Sequence, residues 1–320
     1  RNKMRACSCN ESLSNTGQAN CQPLFKVAKK LIFVPTYDST GALNKLDVNT
    51  LFTPSLLTAK LNHATKASRW YPSPDLENVG GDRAESVFDT APSGKKSFVK
   101  KGVRTMSFEI WDEGTEYLYQ LEALRCTDVS VYVVDNEGNI RGTVPSTEDG
   151  FLYPIKIDKA SFDAKPIFAT DTTVEKIMVN FDWEQSESDA QLRMITATDM
   201  TADLLNAEGL LDISIEYSTI TQTSVIFTLQ ERFGSRKTRN KLTGLLISDF
   251  YDAVGGTASR LYNVTDSLAV TISTFAESTS SPGTYTLTFA SQTVSDVIRV
   301  TPNKNGFDFT DTIADTFVIV

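Results

Sequence analysis

Residues 128–144 read DVSVYVVDNEGNIRGTV, and this stretch decides the fold. Apolar and other side chains alternate along its first half, which is typical of a β-strand with one face on a core. The Asn-Glu-Gly segment at 136–138 then supplies the residues of a tight turn. The stretch therefore predicts a β-hairpin. The valines expected on one face of its first strand are Val129, Val131 and Val133.

Further strands and two helices are predicted around this hairpin. Residues 31–38 (LIFVPTYD) indicate a strand, and Thr53-Pro54 is a good helix start because a hydroxyl cap precedes a proline in the first turn. The apolar face of that helix is Leu57, Leu61 and Ala64; that of a second helix is Tyr117, Leu118, Leu121 and Leu124. Three more strands carry alternating apolar residues: Met106, Phe108, Ile110; Phe151, Tyr153, Ile155, Ile157; and Ile177, Val179, Phe181, Trp183.

The composition changes after about residue 184, and the rest of the chain is almost entirely β in pattern. Short strands separated by turn clusters are typical of a β-sandwich. We therefore predict an arm over 1–25, an α+β domain over 26–207 and an all-β sandwich over 208–320. Residues 71–102 hold no periodic pattern and are interpreted as a long loop.

Bulk composition narrows the function. The 320 residues carry a formal net charge of −9, so the surface as a whole is not expected to bind the phosphates of DNA. No run of the roughly 18 apolar residues that a membrane helix needs is present, so no membrane insertion is expected. The four cysteines lack the knuckle spacing of a zinc site and are expected to be free thiols: Cys7, Cys9, Cys21 and Cys126.

No catalytic constellation is evident. His63 is the only histidine, and the nucleophile-elbow, zinc-protease and phosphate-loop motifs are missing. The acidic turn at 135–137 lacks the remaining ligands of a calcium loop. We interpret the other carboxylate clusters as solvated faces, although acids that converge in space leave no local signature. The sequence predicts a non-enzyme with no catalytic, cofactor-binding or metal-binding residues.

Two segments of the sequence lack a periodic pattern, the arm at 1–25 and the loop at 71–102, and assembly explains them better than catalysis does. Ordering each residue of the 1–25 arm and the 71–102 loop costs about 1–2 kcal/mol, which contacts between copies could recover. The loop ends in the basic stretch KKSFVKKGVR at 95–104. The alternative is a loop that is merely solvated.

Residues 21–183 resemble major tail proteins of tailed phages, in particular phages that infect Bacteroidota. The resemblance rests on an ordered series that includes LIFVPTYDSTG, RWYPSPDLENV, KKGVRTMSFEIWD, LRCTDVSVYVVDNEGNIRG and FATDTTVEKIMVNFDWE. Residues 222–310 resemble bacterial immunoglobulin-like modules, with SPGTYTLTF as the most recognisable element. The first likeness implies a tail-tube β-barrel or sandwich with short helices, and the second implies an immunoglobulin-like sandwich.

The resemblance implies a structural virion protein, assembled in the cytoplasm of the host bacterium. Copies would form hexameric rings that stack into a tail tube, touch other tail proteins and let DNA pass without sequence-specific binding. The outer module could contact host glycans weakly. The candidate intersubunit contacts are Phe25, Trp70, Tyr71, Phe88, Lys95, Lys96, Lys100 and Lys101. The candidate lumen-facing residues are Glu109, Lys156, Glu175 and Asp182, of which Lys156 departs from an all-acidic lining.

Two alternative functions remain open from the sequence. One is another virion part: a capsid decoration protein, a head fibre or a tail terminator. The other is a glycan-binding surface adhesin, which would need an aromatic platform in its binding module. Against the adhesin, all three tryptophans lie in the first domain: Trp70, Trp111 and Trp183.

Overall fold

The computed structural model describes residues 24–63, 65–111, 113–144, 149–232, 239–251, 260–309 and 315–320. These residues form a largely β structure with two short α-helices, which confirms the predicted predominance of strands. Backbone contacts divide the chain into two compact units, and the division falls between Glu208 and Gly209. Most of the predicted arm, with Cys7, Cys9 and Cys21, lies outside the described residues, as does Ala64.

The first unit contains strands β1 to β14 and both helices. The strands are β1 Ala28–Pro35, β2 Leu46–Asp47, β3 Tyr71–Pro72, β4 Leu76–Gly80, β5 Val87–Thr90, β6 Lys96–Lys100, β7 Thr105–Trp111, β8 Val129–Asp135, β9 Ile140–Thr143, β10 Phe151–Leu152, β11 Ile155–Lys156, β12 Asp163–Ile167, β13 Lys176–Asp182 and β14 Leu192–Ile195. The helices are α1 Pro54–Leu61 and α2 Thr115–Ala123.

The predicted hairpin forms the middle of a first sheet, in the order β14-β9-β8-β1-β3, with β11 also paired to β8. Every residue of β8 is buried. Val129, Val131 and Val133 share one core, as predicted, and Tyr132 and Val134 join a second core on the opposite face. The first sheet is therefore covered on both sides.

A second sheet, β12-β13-β7-β4, packs on one side of the first. Its inward residues follow the predicted alternation on β7 and β13, and all of them are buried. They are Met106, Phe108, Ile110, Ile177, Val179 and Phe181. Helix α2 adds Leu121 to this core.

Helix α1 and nearby coil cover the other side of the first sheet. The side chain of Thr53 accepts a hydrogen bond from the backbone N–H of Leu56, and Pro54 occupies the first turn, as the sequence predicts. Leu57 on this helix is buried in the second core. Trp70 packs there too, with its ring 5.5 Å from Phe52 and 5.2 Å from Tyr132.

Two predictions for this unit are wrong. The 71–102 segment is not a featureless loop, since it contains β3, β4, β5 and β6. A bulge between Glu77 and Gly80 interrupts the alternation of β4, which hid the strand from a periodicity search. The stripe at 151–157 is not one strand. It divides at Pro154 into β10, which pairs with β2, and β11, which pairs with β8.

The second unit contains β15 to β23. These are β15 Leu211–Ile220, β16 Ser224–Glu231, β17 Leu261–Asn263, β18 Leu268–Ala269, β19 Ile272–Glu277, β20 Thr284–Phe289, β21 Val297–Val300, β22 Phe307–Asp308 and β23 Thr316–Val318. Two sheets, β19-β20-β16-β15-β22 and β18-β17-β21-β23, contribute to one shared core. The alternation of Leu268, Val270 and Ile272 predicts a single strand, and this prediction is wrong because β18 and β19 belong to different sheets.

Candidate assembly surface

The β5–β6 hairpin is the most exposed part of the first unit. Every residue of both strands is exposed. Val87, Phe88, Phe98 and Val99 are between 44% and 61% exposed. The two phenylalanines pair across the strands, with ring centroids 5.9 Å apart. A lone two-stranded hairpin has little stability of its own, and a cluster of exposed apolar side chains marks an interaction surface.

Local sequence explains why the hairpin turns where it does. Ala91 N–H donates to the Lys95 carbonyl at 2.9 Å, and Gly94 N–H donates to the Ala91 carbonyl at 2.8 Å. Gly94 has φ +83°, a conformation that glycine adopts without steric cost. The turn places three exposed lysines on the hairpin, and none of them has an ion-pair partner among the residues that the structure describes: Lys95, Lys96 and Lys100.

An ion cluster fixes the base of the hairpin. Arg83 Nε lies 2.7 Å from Asp189 Oδ2, and Arg104 Nε lies 3.1 Å from Asp189 Oδ1. The hydrogen bond from Arg83, helped by Arg104, holds the pKa of Asp189 below its usual value. Arg83 Nη1 also donates to the Gly102 carbonyl at 2.7 Å. The hairpin is thus exposed along its length and anchored where it leaves the unit.

The start of the described chain lies close to this base. Arg141 stacks over the Phe25 ring at 3.8 Å, and Lys26 N–H donates to Asp135 at 3.0 Å. Burial lowers the pKa of Arg141, and the charge of Arg104 lowers it further, which places Arg141 near the ion cluster. The segment that leads to the predicted arm therefore packs against β8 and β9.

The outer face of the second sheet is mostly polar, with Trp111, Ile167 and Met178 as its apolar residues. Its residues alternate with the core residues of β7 and β13, and acidic side chains outnumber basic ones there. The acids are Glu77, Glu109, Asp163 and Asp182, against Lys165 and Lys176. Glu109 is nearly buried and its Oε1 lies 2.7 Å from Lys176 Nζ. This hydrogen bond lowers the pKa of Glu109 and keeps the carboxylate ionised but paired.

The structure separates the predicted intersubunit residues into two groups. Phe88, Lys95, Lys96 and Lys100 lie on the exposed hairpin, and Lys101 lies at its base, 4.0 Å from Asp189. The assignment of Trp70 is wrong because its side chain is buried, whereas those of Phe25 and Tyr71 stay predictions. Trp70 is only 2% exposed, while Phe25 and Tyr71 are half-buried against the first core.

The predicted lumen residues are not together on one face. Glu109 and Asp182 share the outer face of the second sheet, and Asp182 accepts a hydrogen bond from Thr105. Glu175 is exposed but precedes β13. Lys156 belongs to β11 in the first sheet and so lies apart from the other three, and its lumen-facing position stays a prediction.

Sequence reasoning missed the apolar residues Val87, Phe98 and Val99 and the anchor formed by Arg83 and Asp189. The sequence did contain a signal for the three apolar residues. The apolar pairs VF at 87–88 and FV at 98–99 flank a Pro-Ser-Gly turn, which is a hairpin pattern. No local signal links Arg83 to Asp189, because 106 residues separate them.

Few of the described residues are candidates for metal binding or catalysis. Within the described ranges, no group of three or more His, Cys, Asp or Glu side chains is placed to hold a metal ion. The His63 ring binds a neighbouring residue, since its Nδ1 accepts a hydrogen bond from the Thr65 N–H at 3.1 Å. None of the helices in the described part of the chain has the length and apolar character of a membrane span. No family model, curated protein or solved structure matches the chain.

Proposed function

We propose that this chain is a structural virion protein that assembles into stacked hexameric rings and so builds a phage tail tube that conducts DNA. The single observation that carries the proposal is the β5–β6 hairpin, which exposes four large apolar side chains and three lysines without an ion-pair partner among the described residues, above a base held by Arg83 and Asp189. A monomer gains nothing from keeping such a hairpin in water. A neighbouring copy that covers it removes the apolar surface, at about 25 cal/mol for each Å² buried.

The polar outer face of the second sheet supports the same function. In a ring this face would line the lumen, where an excess of carboxylates repels the phosphates of DNA in transit. Glu109 pairs with Lys176 and Glu77 pairs with Lys29, which weakens that field at two points, so Asp182 is the stronger contributor. The strand alternation and shared core of the second unit support an immunoglobulin-like module that decorates the outside of the tube.

Electron microscopy of the purified full chain tests the proposal. We expect hollow rods of uniform diameter. The double variant Phe88→Asp, Phe98→Asp should remain unassembled because it places charge on the surface that a neighbour must cover. Leu246→Asp is the matched control, since Leu246 is equally exposed, at 64%, but lies in the second unit.

Circular dichroism should be the same for all three proteins, because none of the substituted side chains is buried. Wild-type protein that stays monomeric up to high concentration would overturn the tube function. Rods from the Phe88→Asp, Phe98→Asp variant would instead remove the hairpin from the contact.

A further inference from the structure

The first unit contains a cavity of about 420 Å³ beside the first sheet. Its volume is within the range of about 300–1,000 Å³ that is usual for ligand pockets. Hydroxyl, amide and charged side chains line it together with apolar ones, which include Leu43, Val144 and Pro154. The lining residues that matter here are Asn44, Ser130, Thr143, Asp149, Lys156 and Glu187. Because apolar and polar groups share the wall, this lining suits a side chain whose apolar stem ends in a charged group.

Glu187 contributes negative charge to the cavity. The side chain is only 9% exposed, and burial raises the pKa of its carboxyl, which the nearby Lys156 offsets only in part. The Lys156 ammonium lies 4.0 Å from Glu184, so that second carboxylate competes for it. Asp149 adds a further carboxylate to the wall, held by Tyr153 O–H at 2.6 Å. The carboxylates in and around the cavity therefore exceed the amines, and the cavity favours a cation.

The chain itself offers cations of the right kind. Lys95 and Lys96 stand at the turn of the β5–β6 hairpin, exposed and without an ion pair among the described residues. We propose that the cavity of one copy receives the hairpin turn of a second copy, with the ammonium of Lys95 or Lys96 beside the Glu187 carboxylate. This contact rests on the proposed self-assembly and identifies where the hairpin docks.

A copy's own hairpin does not occupy its cavity. The cavity wall is adjacent to the base of the hairpin, because Arg83 Nη2 donates to the Glu187 carbonyl at 3.3 Å. At about 3.3 Å of rise per residue, the two strands carry the turn roughly 20–25 Å from that base. Each copy thus has a protruding turn and a receiving cavity at different places on its surface. A contact between unlike surfaces repeats from copy to copy, as a ring or a stack requires.

Zero-length cross-linking with a carbodiimide tests the contact on the full chain. Assemblies are made from equal amounts of ¹⁴N- and ¹⁵N-labelled protein, and cross-linked peptides are identified by mass spectrometry. We expect amide links from Lys95 or Lys96 to Glu187 or Asp149, with mixed-isotope pairs that prove a link between copies. Assembled rods without these links, or with same-isotope pairs alone, would overturn the contact and leave the tube function standing. Failure to assemble at all would overturn both.

Charge-removing variants give a second readout. Glu187→Gln and the double variant Lys95→Gln, Lys96→Gln should each raise the protein concentration needed for assembly by roughly tenfold. Combining them should add little to either, since both remove the same contact. Lys100→Gln is the control, because Lys100 lies on the same hairpin but at the end of β6 away from the turn. An effect of Lys100→Gln as large as that of the turn variant, or full additivity of the other two, would overturn the pairing.

Discussion

Arg83 Nε lies 2.7 Å from Asp189 Oδ2, and this ion pair joins the base of the exposed hairpin to the segment that follows β13. The same carboxylate also meets Arg104, so one acid holds two strands of chain together. The support of the hairpin lies at one end, where these ion pairs join the backbone hydrogen bond from the Ala84 N–H to the Val103 carbonyl.

Removing the carboxylate should loosen that support. Asp189→Asn keeps the shape of the side chain but loses the charge that both arginines meet, so we expect faster hydrogen exchange over 84–102 at neutral pH.

The pKa of Asp189 is depressed in the folded chain, so its contribution to stability is present above the unfolded pKa of about 3.9 and is lost as the pH falls through the folded value. The difference in thermal midpoint between wild type and Asp189→Asn should therefore shrink below about pH 4.

Asp171→Asn serves as the control for this measurement. Asp171 is exposed, and no hydrogen bond or ion pair to the part of the chain that the structure describes holds its side chain. An equal change in exchange from Asp171→Asn, or an Asp189 effect that persists in acid, would contradict the anchoring role.

Gly102 should be intolerant of any side chain. A Cβ at this position would lie 1.8 Å from the Ala84 carbonyl oxygen, so the backbone on one side of the hairpin base must move. We expect Gly102→Ala to cost about 1–3 kcal/mol of stability, as overpacking in a tight site does. Gly94→Asn in the turn should cost less, because its surroundings are open and asparagine tolerates positive φ. Urea unfolding of the two variants compares them directly, and equal losses would show that the close approach at Gly102 is relieved cheaply.

Trp70 is a core residue, and its substitution should act on stability. Trp70→Ala should cost about 3–5 kcal/mol, the usual range for a buried aromatic, because it empties the space beside Phe52 and Tyr132. Trp111→Ala, at an exposed site on β7, should cost much less. Denaturant unfolding below the assembly concentration separates the two. If Trp70→Ala left the unfolding midpoint unchanged, the second core would not depend on it.

The sequence predicted the elements whose side chains alternate without interruption. The spacing of apolar residues predicts strands β7, β8 and β13 and both helices. The cap at Thr53 adds to the prediction of α1. Prediction failed where a single residue broke the period, as Pro154 does between β10 and β11. Trp70 was misassigned because it stands alone beside a turn sequence, so only the three-dimensional packing reveals its partners.

The candidate site was less predictable than the fold. The turn lysines could be chosen from the charge pattern alone, because exposed basic stretches are local features. The receiving cavity could not, since Asn44, Ser130 and Glu187 come together only when distant segments fold around the first sheet. Contacts between segments that are far apart in the chain leave no periodic pattern in the sequence.

Glu187 and Asp189 should respond to pH in opposite directions although they are two residues apart. Burial raises the pKa of Glu187 above its unfolded value, so the folded chain binds a proton more readily than the unfolded chain does. The ionised form therefore opposes folding, and the penalty is present at neutral pH and relieved as the pH falls through the raised pKa. Glu187→Gln should accordingly raise the thermal midpoint of the unassembled chain at pH 7, with a gain that disappears below about pH 4. Asp189→Asn should lower the midpoint over the same range, and two variants that shift it in the same direction would contradict this assignment of charges.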